Sequence, residues 1–578
     1  MTTGNAGAGQ FAAEAAAAAA AARHNYELVT ERGVEFTPGS AFYRAESAQG
    51  RDLAVLAAGV YRQQHGRLRV LDVMSGSGMR GARYLTQAGA DLVWCNDYDT
   101  RNNLALVFNL VHALEHSSSS SSSNSNSSIS NGRGRGRDDS NASTGVQALP
   151  VDKQQELTGQ TSSNQENSSS SSSSSSSNAV KEAAEHWLST AERVQYPGIR
   201  GDVLQWHGSS NSSSAQVLQG PEGSQLRQRC RVTHVEANRL LASTYLAEGY
   251  FDLVDVDSFG SDCSHLAAAL QAVKFGGLLY LTSTDGFCSG GKRPQRSLAA
   301  YGSYLRALPH ANEQGLRMLI GAAAMLRVER GGEGVDPSTH GFVGHCYVHG
   351  ENRRVGWRGL SQAWCRCQST TAGSSAAAAE ASAAADARQP TPLVLSGPMW
   401  TGPLHNAGFV ASMAGLAEQW GWKGSAVPSD SPYTVRQSKN NRQRPLEVLL
   451  GLLAQESDPQ LPPWYACIDT LAQHLNTTPS RDKLIAALRL RGYTACQCHV
   501  ENRALRTNAT TQQVLQVAVE DCGYQHRSTG VPQVLLQHHQ VVCKEQQQEQ
   551  EAGVQVAGAG TLQEGASSSL GSRKACSE

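Results

Sequence analysis

The chain has 578 residues, and its 49 Lys and Arg residues almost balance its 50 Asp and Glu residues. This length predicts roughly two to four domains, whereas an apolar content of only 39% predicts that part of the chain does not fold. The neutral charge excludes a uniformly basic nucleic-acid binder but leaves room for a local basic face. No apolar stretch is long enough to span a bilayer, so we expect neither a membrane segment nor a secretory signal.

Low-complexity segments divide the chain. We predict a disordered Ala-rich leader over 1–25, a disordered Ser/Asn-rich insertion at about 115–190, a linker over 361–391 and a disordered tail over 545–578. Such segments bury too little apolar surface to offset the entropy lost on ordering. The remaining residues predict a large domain over 26–360, which contains the insertion, and a smaller domain over 392–520. The thirteen cysteines of so long a chain favour a reducing compartment.

Short apolar runs alternate with helical patterns in the first domain. We predict strands over 69–74, 91–96, 232–235, 251–256 and 278–283, and helices over 79–88, 102–114, 237–248 and 264–274. The last of these helices is expected to stop at Gly276-Gly277. This alternation is typical of an α/β fold with a parallel, doubly wound sheet, whose ligands bind at the carboxyl ends of the strands.

A glycine-rich turn follows the first of these strands. Gly76, Gly78 and Gly81 allow a tight turn and close approach of the backbone to a ligand. Asp97 lies 21 residues after Gly76, which is the spacing of a carboxylate that accepts ribose hydroxyls. NAD and S-adenosylmethionine both present such a ribose, and an ordinary turn is the alternative. The guanidinium of Arg80 suits the carboxylate of a methionine moiety, unless it only lines a solvated helix face.

The fourth strand ends in acids and an aromatic residue. Asp255 and Asp257 lie two apart and therefore point to one side of the strand. An acid at the strand end, with Phe259 to stack on a planar base, suits methyl transfer to an exocyclic amine. The alternatives are that Asp257 caps the helix beginning near residue 264 or binds the Ser261 backbone, and that Phe259 belongs to the core.

Further motifs follow one another along the chain. They include Phe42-Tyr43, Arg51-Asp52-Leu53, residues 75–83, Asn96-Asp97, Glu236-Ala-Asn238, residues 255–261 and Gly397-Pro-Met-Trp-Thr-Gly-Pro-Leu404. This ordered set resembles the tRNA (guanine(26)-N2)-dimethyltransferases, which use S-adenosylmethionine to methylate guanine 26 of tRNA. The resemblance implies a Rossmann-like class I methyltransferase fold followed by a smaller α+β domain, winged-helix-like in part, that helps to hold tRNA.

The resemblance also implies roles for individual residues. Asp257 falls on the catalytic acid, with Phe259 beside it. The cofactor-binding positions are Arg51, Arg80, Asp97, Glu236 and Ala237, together with Gly76 and Gly78 of the turn; His499, Arg506 and Thr507 fall on matching positions of the tRNA-holding domain. The implied partner is tRNA, with no membrane and no obligate protein partner. The implied compartment is the nucleus, and the chloroplast or mitochondrion are alternatives.

Several positions depart from the family pattern. Where the family has Asp-Pro, this chain has Asp257-Ser258, which is expected to loosen the loop that presents the carboxylate. Arg44-Ala45 replaces an Asn-Pro, and Met74 replaces the first glycine of the loop. Only Cys365-x-Cys367 remains of two cysteine pairs that some members carry. Because structural zinc requires four ligands, we predict no metal.

Basic residues give the tRNA interpretation some support of its own. One run contains Arg436, Lys439, Arg442 and Arg444, and a second contains Arg481, Lys483, Arg489, Arg491, Arg503 and Arg506. Such residues suit phosphate contacts, although a charge run is often only a solvated face. The alternatives to a methyltransferase are a catalytically impaired tRNA-binding or chaperone protein on the same fold, and an NAD-dependent oxidoreductase supported by the glycine turn alone.

Overall fold

The computed structural model describes residues 26–116, 170–208, 218–219, 225–226, 228–328, 337–347, 350–361, 393–424 and 444–527. The predicted leader, linker and tail lie outside these ranges, apart from residue 361. Cys365, Cys367, Arg436, Lys439 and Arg442 also lie outside them. None of the helices in the described part of the chain has the length and apolar character needed to cross a membrane.

Seventeen strands occur in the described ranges. They are β1 (Val29–Glu31), β2 (Val34–Phe36), β3 (Arg69–Asp72), β4 (Leu92–Asn96), β5 (Glu192–Val194), β6 (Val203–His207), β7 (Leu218–Gln219), β8 (Gln225–Leu226), β9 (Arg229–Thr233), β10 (Phe251–Asp257), β11 (Val273–Thr282), β12 (His340–Cys346), β13 (Glu351–Val355), β14 (Leu393–Trp400), β15 (Ala466–Cys467), β16 (Ala495–Gln497) and β17 (Ala504–Thr507).

Fourteen α-helices accompany them in the same ranges. They are α1 (Ala48–His65), α2 (Met79–Thr86), α3 (Asn103–His116), α4 (Ser170–Thr190), α5 (Ala237–Leu246), α6 (Cys263–Ala272), α7 (Gly286–Ser289), α8 (Pro294–Tyr301), α9 (Ala311–Val328), α10 (Ala407–Gln419), α11 (Leu446–Glu456), α12 (Ile468–Ala472), α13 (Arg481–Leu490) and α14 (Thr511–Glu520).

The central sheet has the order β11-β10-β3-β4-β9-β6-β5. Strands β11, β10, β3, β4 and β9 are parallel, whereas β6 and β5 add an antiparallel edge. Apolar side chains on both faces of the sheet are fully buried, against α1, α2 and α3 on one side and α5 and α6 on the other. The strand order reverses between β3 and β10, and this reversal defines the switch point where doubly wound sheets bind ligands. The predicted α/β class is confirmed.

Part of the predicted insertion is helical. Residues 170–190 form α4, and Val180 and Ala184 of this helix bury themselves against Phe108 of α3, with Trp187 also packed there. The spacing of these three residues places them on one face of a helix, and that stripe supplies the apolar surface that the serine tract lacks. The prediction of disorder is therefore wrong over this stretch, whereas residues 117–169 lie outside the described ranges.

The glycine pair after α6 lies inside a strand. Helix α6 ends at Ala272, and β11 begins at Val273. The pairing with β10 shifts register, because Val273 faces Phe251 whereas Leu278 faces Leu253. Gly276 has a φ of 77°, which fits the irregularity in this strand. The prediction that a helix ends at Gly276-Gly277 is therefore wrong, because these glycines lie in a β-bulge of β11.

The chain beyond the linker first returns to the larger domain. Strand β14 pairs with β12, and α10 packs on α1, where a Cβ at Gly59 would lie 2.7 Å from the indole of Trp420. The β13-β12-β14 sheet therefore crosses the domain boundary predicted at residue 392. The small domain proper consists of the β15-β17-β16 sheet with α12, α13 and α14 around their own apolar core. It has the α+β composition expected, and its winged-helix character stays a prediction.

Buried ion pairs join the small domain to the larger one. On α9, Arg317 Nε donates to Glu313 Oε1 over 2.7 Å. Arg506 of β17 pairs with the same Glu313 and lies 3.5 Å from Glu456 at the end of α11. All four side chains are at most 2% exposed. Two arginines and two glutamates balance one another, so the junction is buried without an excess charge.

His310, which precedes α9, lies in the same junction. Its ring is 1% exposed and packs edge-on to Tyr465, and neither ring nitrogen has a hydrogen-bond partner among the described residues. Burial, with the charges of His345, Arg317 and Arg506, lowers the pKa of His310 to about 3. The ring is therefore neutral in the folded protein at physiological pH.

We expect replacement of His310 by Leu to reduce acid destabilisation. The unfolded chain binds a proton at this residue below about pH 6.5, whereas the folded chain resists it down to about pH 3. Wild-type stability should therefore fall as the pH drops through that window. Thermal melts between about pH 7.5 and about pH 5 should show a smaller loss in Tm for His310→Leu, whereas His186→Leu, at an exposed position of α4, should follow the wild type. Equal losses in all three proteins would contradict the assignment.

Candidate active site at the switch point

A cleft opens at the carboxyl ends of β3, β4 and β9. It has a volume of about 220 Å³ and is lined by Val73, Met74, Asn96, Tyr98, Val235, Glu236 and Ala237. The cleft lies on the predicted side of the sheet, next to the switch point. Its size and mixed lining suit part of a nucleoside, such as a base.

The glycine turn and Asp97 lie at the ends of β3 and β4, next to residues that line the cleft. Gly76 and Gly78 have φ values of 56° and 77°, a conformation that favours glycine. A Cβ at Gly81 would lie only 2.4 Å from Cys95 Sγ, so glycine also allows α2 to press against β4. The Gly76 N–H donates to Asp97 Oδ2 over 2.8 Å. The structure thus brings Gly76 of the turn into contact with Asp97, and the ribose-binding role of Asp97 stays a prediction.

Asn96 connects the ends of three strands and was not singled out as a site residue. Its side-chain amide donates to the carbonyls of Val73 (3.0 Å) and Val235 (2.9 Å). Its carbonyl oxygen accepts from the Val235 N–H (3.0 Å) and from Thr233 Oγ1 (2.9 Å). Because the residue is 1% exposed, it acts as a fixed brace beneath the cleft. The only sequence signal was its place before Asp97.

Glu236 and Ala237 lie at the cleft, as predicted, where α5 begins. The carboxylate of Glu236 caps the helix by accepting from the N–H groups of Asn238 (3.0 Å) and Arg239 (2.8 Å). An anion at a helix N-terminus is also favoured by the helix dipole. The cap holds Glu236 still at the edge of the cleft, where it retains further acceptor capacity.

Arg51 takes part in a buried ionic cluster and does not line the cleft. Its Nε donates to Glu31 Oε2 over 3.1 Å, and its Nη2 donates to the Arg44 carbonyl over 2.9 Å. Arg83 pairs with the same Glu31 and with Asp52. Arg83 is therefore buried in this ionic cluster and does not lie on a solvated helix face. Together, Arg51 and Arg83 stabilise the junction of α1, α2 and the β1–β2 hairpin.

Arg80 connects the glycine turn to the acids of β10. Its Nη1 donates to Asp255 Oδ1 over 2.5 Å, and its Nη2 donates to Asp257 Oδ2. Its guanidinium lies 4.8 Å from the centroid of the Tyr280 ring and is 8% exposed. The solvated-face alternative is thus excluded, and in this structure the cation is bound to the protein's own carboxylates.

Asp257 is the accessible acid of the group. Its side chain is 45% exposed, and its Oδ1 accepts from Thr282 Oγ1. It does not cap α6, whose N-cap residue is Asp262. By contrast, burial raises the pKa of Asp255, and burial with the neighbouring Asp255 raises that of Asp72. The acids therefore divide into two buried groups and one that faces the ligand side.

Exposed aromatic rings lie next to Asp257. Phe259 is 78% exposed and Phe42 is 53% exposed. Their ring centroids are 5.5 Å apart in an edge-to-face arrangement, and the Arg44 guanidinium lies 5.3 Å from the Phe42 ring. Phe259 is therefore not a core residue, and the pair presents an apolar surface of the kind on which bases stack.

The loop after Asp257 is held by several hydrogen bonds. Gly260 N–H donates to Thr284 Oγ1 over 2.7 Å, and the Thr284 N–H donates back to the Gly260 carbonyl over 2.9 Å. Ser261 Oγ lies 2.6 Å from Tyr301 Oη. Ser258 is 6% exposed, and its hydroxyl has no partner among the described side chains and backbone groups. The structure thus shows a loop that is held by hydrogen bonds, whereas the absence of the family proline led to the expectation of a loose loop.

The basic residues of the small domain are largely bound internally. Arg506 and Thr507 are 1% and 5% exposed, so neither forms an open surface for tRNA. Arg491 pairs with Glu520 and Asp521, and Arg503 pairs with Asp469. Arg444 donates to the carbonyls of Cys498 and His499. The second basic run is therefore mainly structural, and the expected phosphate-binding role of Arg506 is wrong.

A histidine–carboxylate group lies behind Arg506. The ligand atoms of His405, Glu456 and His499 lie within 4.8 Å of one another. Both imidazoles hydrogen-bond to Glu456 Oε2. The other carboxylate oxygen of Glu456, Oε1, accepts the backbone N–H of His499 over 2.7 Å. Burial alone would raise the pKa of Glu456, but the bonds from His405 and His499 and the charge of Arg506 lower it overall. The carboxylate is thus satisfied without an ion, and the absence of a structural metal stays a prediction.

The strand order and the site together define a Rossmann-like class I methyltransferase fold. A solved structure titled as Trm1 from Pyrococcus horikoshii with S-adenosyl-L-methionine matches with a TM-score of 0.51 and 17% identity, and the match covers 85% of this chain and 99% of that chain. The model of the N2,N2-dimethylguanosine tRNA methyltransferase family matches residues 224–519, just over half of the chain. The chain belongs to this family.

Individual relatives match shorter or more divergent stretches. A tRNA (guanine(26)-N(2))-dimethyltransferase of Pyrobaculum calidifontis is 40% identical over 95 residues, which are 16% of this chain and 26% of that protein. The proteins of the same name from Schizosaccharomyces pombe and Pyrococcus horikoshii are 26% and 25% identical and match 46% and 57% of this chain. The chain spans half of the Schizosaccharomyces protein and 78% of the Pyrococcus protein.

We expect Asn96→Ala to destabilise the protein. The change leaves buried backbone groups of Val73 and Val235 without their partner, at a cost of about 1–3 kcal/mol in the free energy of unfolding. Urea denaturation followed by circular dichroism measures this difference. Asn178→Ala, at an exposed position of α4, should stay within about 0.5 kcal/mol of the wild type. A wild-type midpoint for Asn96→Ala would refute the bracing role.

Proposed function

We propose that the protein transfers methyl groups from S-adenosylmethionine to the exocyclic N2 of guanine 26 in tRNA, first one methyl and then a second. The observation that carries this proposal is the placement of Asp257 and the exposed ring of Phe259 beside a glycine turn with Asp97 at ribose spacing. Membership of the N2,N2-dimethylguanosine tRNA methyltransferase family supports the same reaction. The names of the matched relatives agree with it.

The residues present fit the proposed cofactor. Asp97 has acceptor capacity left for a ribose hydroxyl, because Gly76, Asp99 and Asn102 occupy only part of its two oxygens. Glu236 and Ala237 would border the adenine in the cleft. S-adenosylmethionine, when bound, supplies an electrophilic methyl group on a positively charged sulfur. In this proposal, Asp97, Glu236 and Ala237 bind the cofactor and orient it.

Asp257 has the geometry of the residue that receives the acceptor amine. The lone pair of a guanine N2 is delocalised into the ring, so the amine is a weak nucleophile. A carboxylate that accepts a hydrogen bond from one N–H group of the amine fixes the direction of the amine. It also takes the proton that methylation makes acidic. Arg80 and Thr282 bond one oxygen each of Asp257, and remaining lone pairs face the exposed side.

Replacing Asp257 with Ala should abolish methylation and leave cofactor binding intact. Loss of general-base and orienting help reduces the rate by about 10²–10⁴-fold. Mass spectrometry of nucleosides from unmodified tRNA measures the product, and calorimetry measures S-adenosylmethionine binding. The matched control is Asp202→Ala, since Asp202 pairs with Arg193 at the distant β5–β6 edge. Full turnover by Asp257→Ala would reject the assignment.

We expect Phe259→Ala to impair use of tRNA more than use of the cofactor. A guanine extruded from the tRNA core needs a stacking partner, and stacking on an aromatic ring contributes about 1–3 kcal/mol per base. The variant should raise the KM for tRNA or lower kcat, with unchanged S-adenosylmethionine affinity. Phe275→Ala removes another exposed ring, in β11 far from its carboxyl end, and should behave as the wild type. Equal kinetics for both variants would remove Phe259 from the site.

Ser258 motivates one second candidate, a catalytically impaired tRNA-binding or chaperone protein. Its buried hydroxyl lacks a partner among the described residues, at the position where the family has proline. Incubation with labelled S-adenosylmethionine and unmodified tRNA separates the candidates. tRNA binding without methyl incorporation would favour the second candidate over the first.

A further inference from the structure

Arg80 lies between two carboxylates of one strand. Asp255 and Asp257 project from the same side of β10, and α2 delivers the guanidinium between them. One nitrogen, Nη1, donates to Asp255 Oδ1 over 2.5 Å, and the other, Nη2, donates to Asp257. The Tyr280 ring lies against the guanidinium, with its centroid 4.8 Å away. The planar guanidinium of Arg80 is therefore held by three contacts, with Asp255, Asp257 and Tyr280.

The inner end of this bridge is rigid. Asp255 is fully buried, and its second oxygen accepts from Tyr84 Oη over 2.7 Å. Among the described residues, Arg80 is the only cation that hydrogen-bonds either Asp255 or Asp257. The outer end is the half-exposed carboxylate of Asp257, which Thr282 also holds. A buried anion thus anchors the arginine, and the arginine in turn anchors the acid that faces the substrate.

We propose that Arg80 is a positioning residue, which holds the Asp257 carboxylate aimed at the acceptor amine. This inference rests on the function proposed above. In the reaction, the amine nitrogen forms a bond to the methyl carbon while the bond from that carbon to sulfur breaks, so that the sulfonium becomes a neutral thioether. The nitrogen then carries a positive charge and gives its proton to Asp257. Arg80 touches neither reacting group and acts through Asp257.

This role requires the shape of arginine as well as its charge. A guanidinium presents a fixed fork of donors that reaches two carboxylates at once, whereas a lysine ammonium is a compact charge on a flexible stem. Arg80→Lys should therefore restore part of the electrostatic effect but not the orientation. Asp255→Asn removes the anchor and should weaken the same function from the other end.

Positioning through Asp257 and direct contact with the cofactor have different kinetic signatures. The resemblance implies that Arg80 contacts the cofactor, which would make its loss raise the dissociation constant of S-adenosylmethionine. Positioning predicts a lower kcat with little change in that constant. It also predicts a changed pH profile, because Arg80 favours the ionised form of its anchor, Asp255.

The sign of the pH effect follows from the groups that face the pair. Asp72 of β3 adds a further carboxyl, Tyr84 of α2 and Tyr280 of β11 are neutral, and Cys95 of β4 lies against Asp72. Burial raises the pKa of Asp255, and Arg80 is the main group that opposes this effect. Without Arg80, Asp255 stays protonated to higher pH, so the acidic limb of the rate profile moves upward.

The test measures single-turnover methylation of unmodified tRNA by Arg80→Met, Arg80→Lys and Asp255→Asn at saturating S-adenosylmethionine across pH. We expect Arg80→Met to lose about 10²-fold in rate and to move its acidic limb to higher pH. Arg80→Lys should shift the limb less than Arg80→Met. Calorimetry should give an S-adenosylmethionine affinity close to that of the wild type, which also shows that each variant folds.

The control is Arg193→Met, because Arg193 pairs with Asp202 on the far edge of the sheet, and it should match the wild type in every readout. A weakened cofactor affinity with an unmoved acidic limb would assign Arg80 to the cofactor and overturn the inference. An unchanged rate in Arg80→Met would overturn it as well. If the wild-type protein itself transfers no methyl group, the proposed function fails first, and the inference falls with it.

Discussion

The site depends on how the two carboxyl groups of Asp255 and Asp257 share one guanidinium, that of Arg80. Asp72, Asp255 and Asp257 meet at the switch point, where the sheet brings β3 and β10 side by side, and Arg80 enters from the helix that follows the glycine turn. Unpaired, these acids would repel one another and resist burial. Because Arg80 bonds both acids of β10, Asp257 can be kept at the surface in a fixed direction while Asp255 remains inside.

The same arrangement links the two halves of the proposed reaction site. The glycine turn that faces the cofactor side and the helix that carries Arg80 are consecutive in the chain, so a shift of that turn would move Arg80 and therefore Asp257. On the other side of the turn, Asn96 ties the ends of β3, β4 and the residues after β9 through its amide. The cleft and Asp257 thus stand on one connected set of hydrogen bonds.

Much of this could be predicted from the sequence because it depends on local patterns. The glycine turn and Asp97 follow from spacing within one β–α–β unit, and the position of Asp257 follows from the end of its own apolar strand. The partners of Arg51, Arg80 and Arg506 could not be predicted in this way. Each pairs with an acid distant in sequence, and only the assembled fold shows whether a guanidinium meets a ligand, a solvent face or a buried carboxylate.

The two errors in element assignment have the same origin. The glycine pair at 276–277 has the composition of a helix stop, yet pairing with β10 draws it into a bulged strand. The serine tract lacks apolar surface, yet the residues that follow it, Val180, Ala184 and Trp187, pack against Phe108. In both places, long-range contacts outweigh local propensity.

Ser258 is best understood through the loop that it begins. Proline would restrict one backbone angle at this position, but the following residues are held by the reciprocal bonds between Gly260 and Thr284 and by the contact of Ser261 with Tyr301. The carboxylate before it is fixed separately by Arg80 and Thr282. Since the direction of Asp257 is set by its own side-chain partners, the position of this carboxylate does not depend on the proline ring.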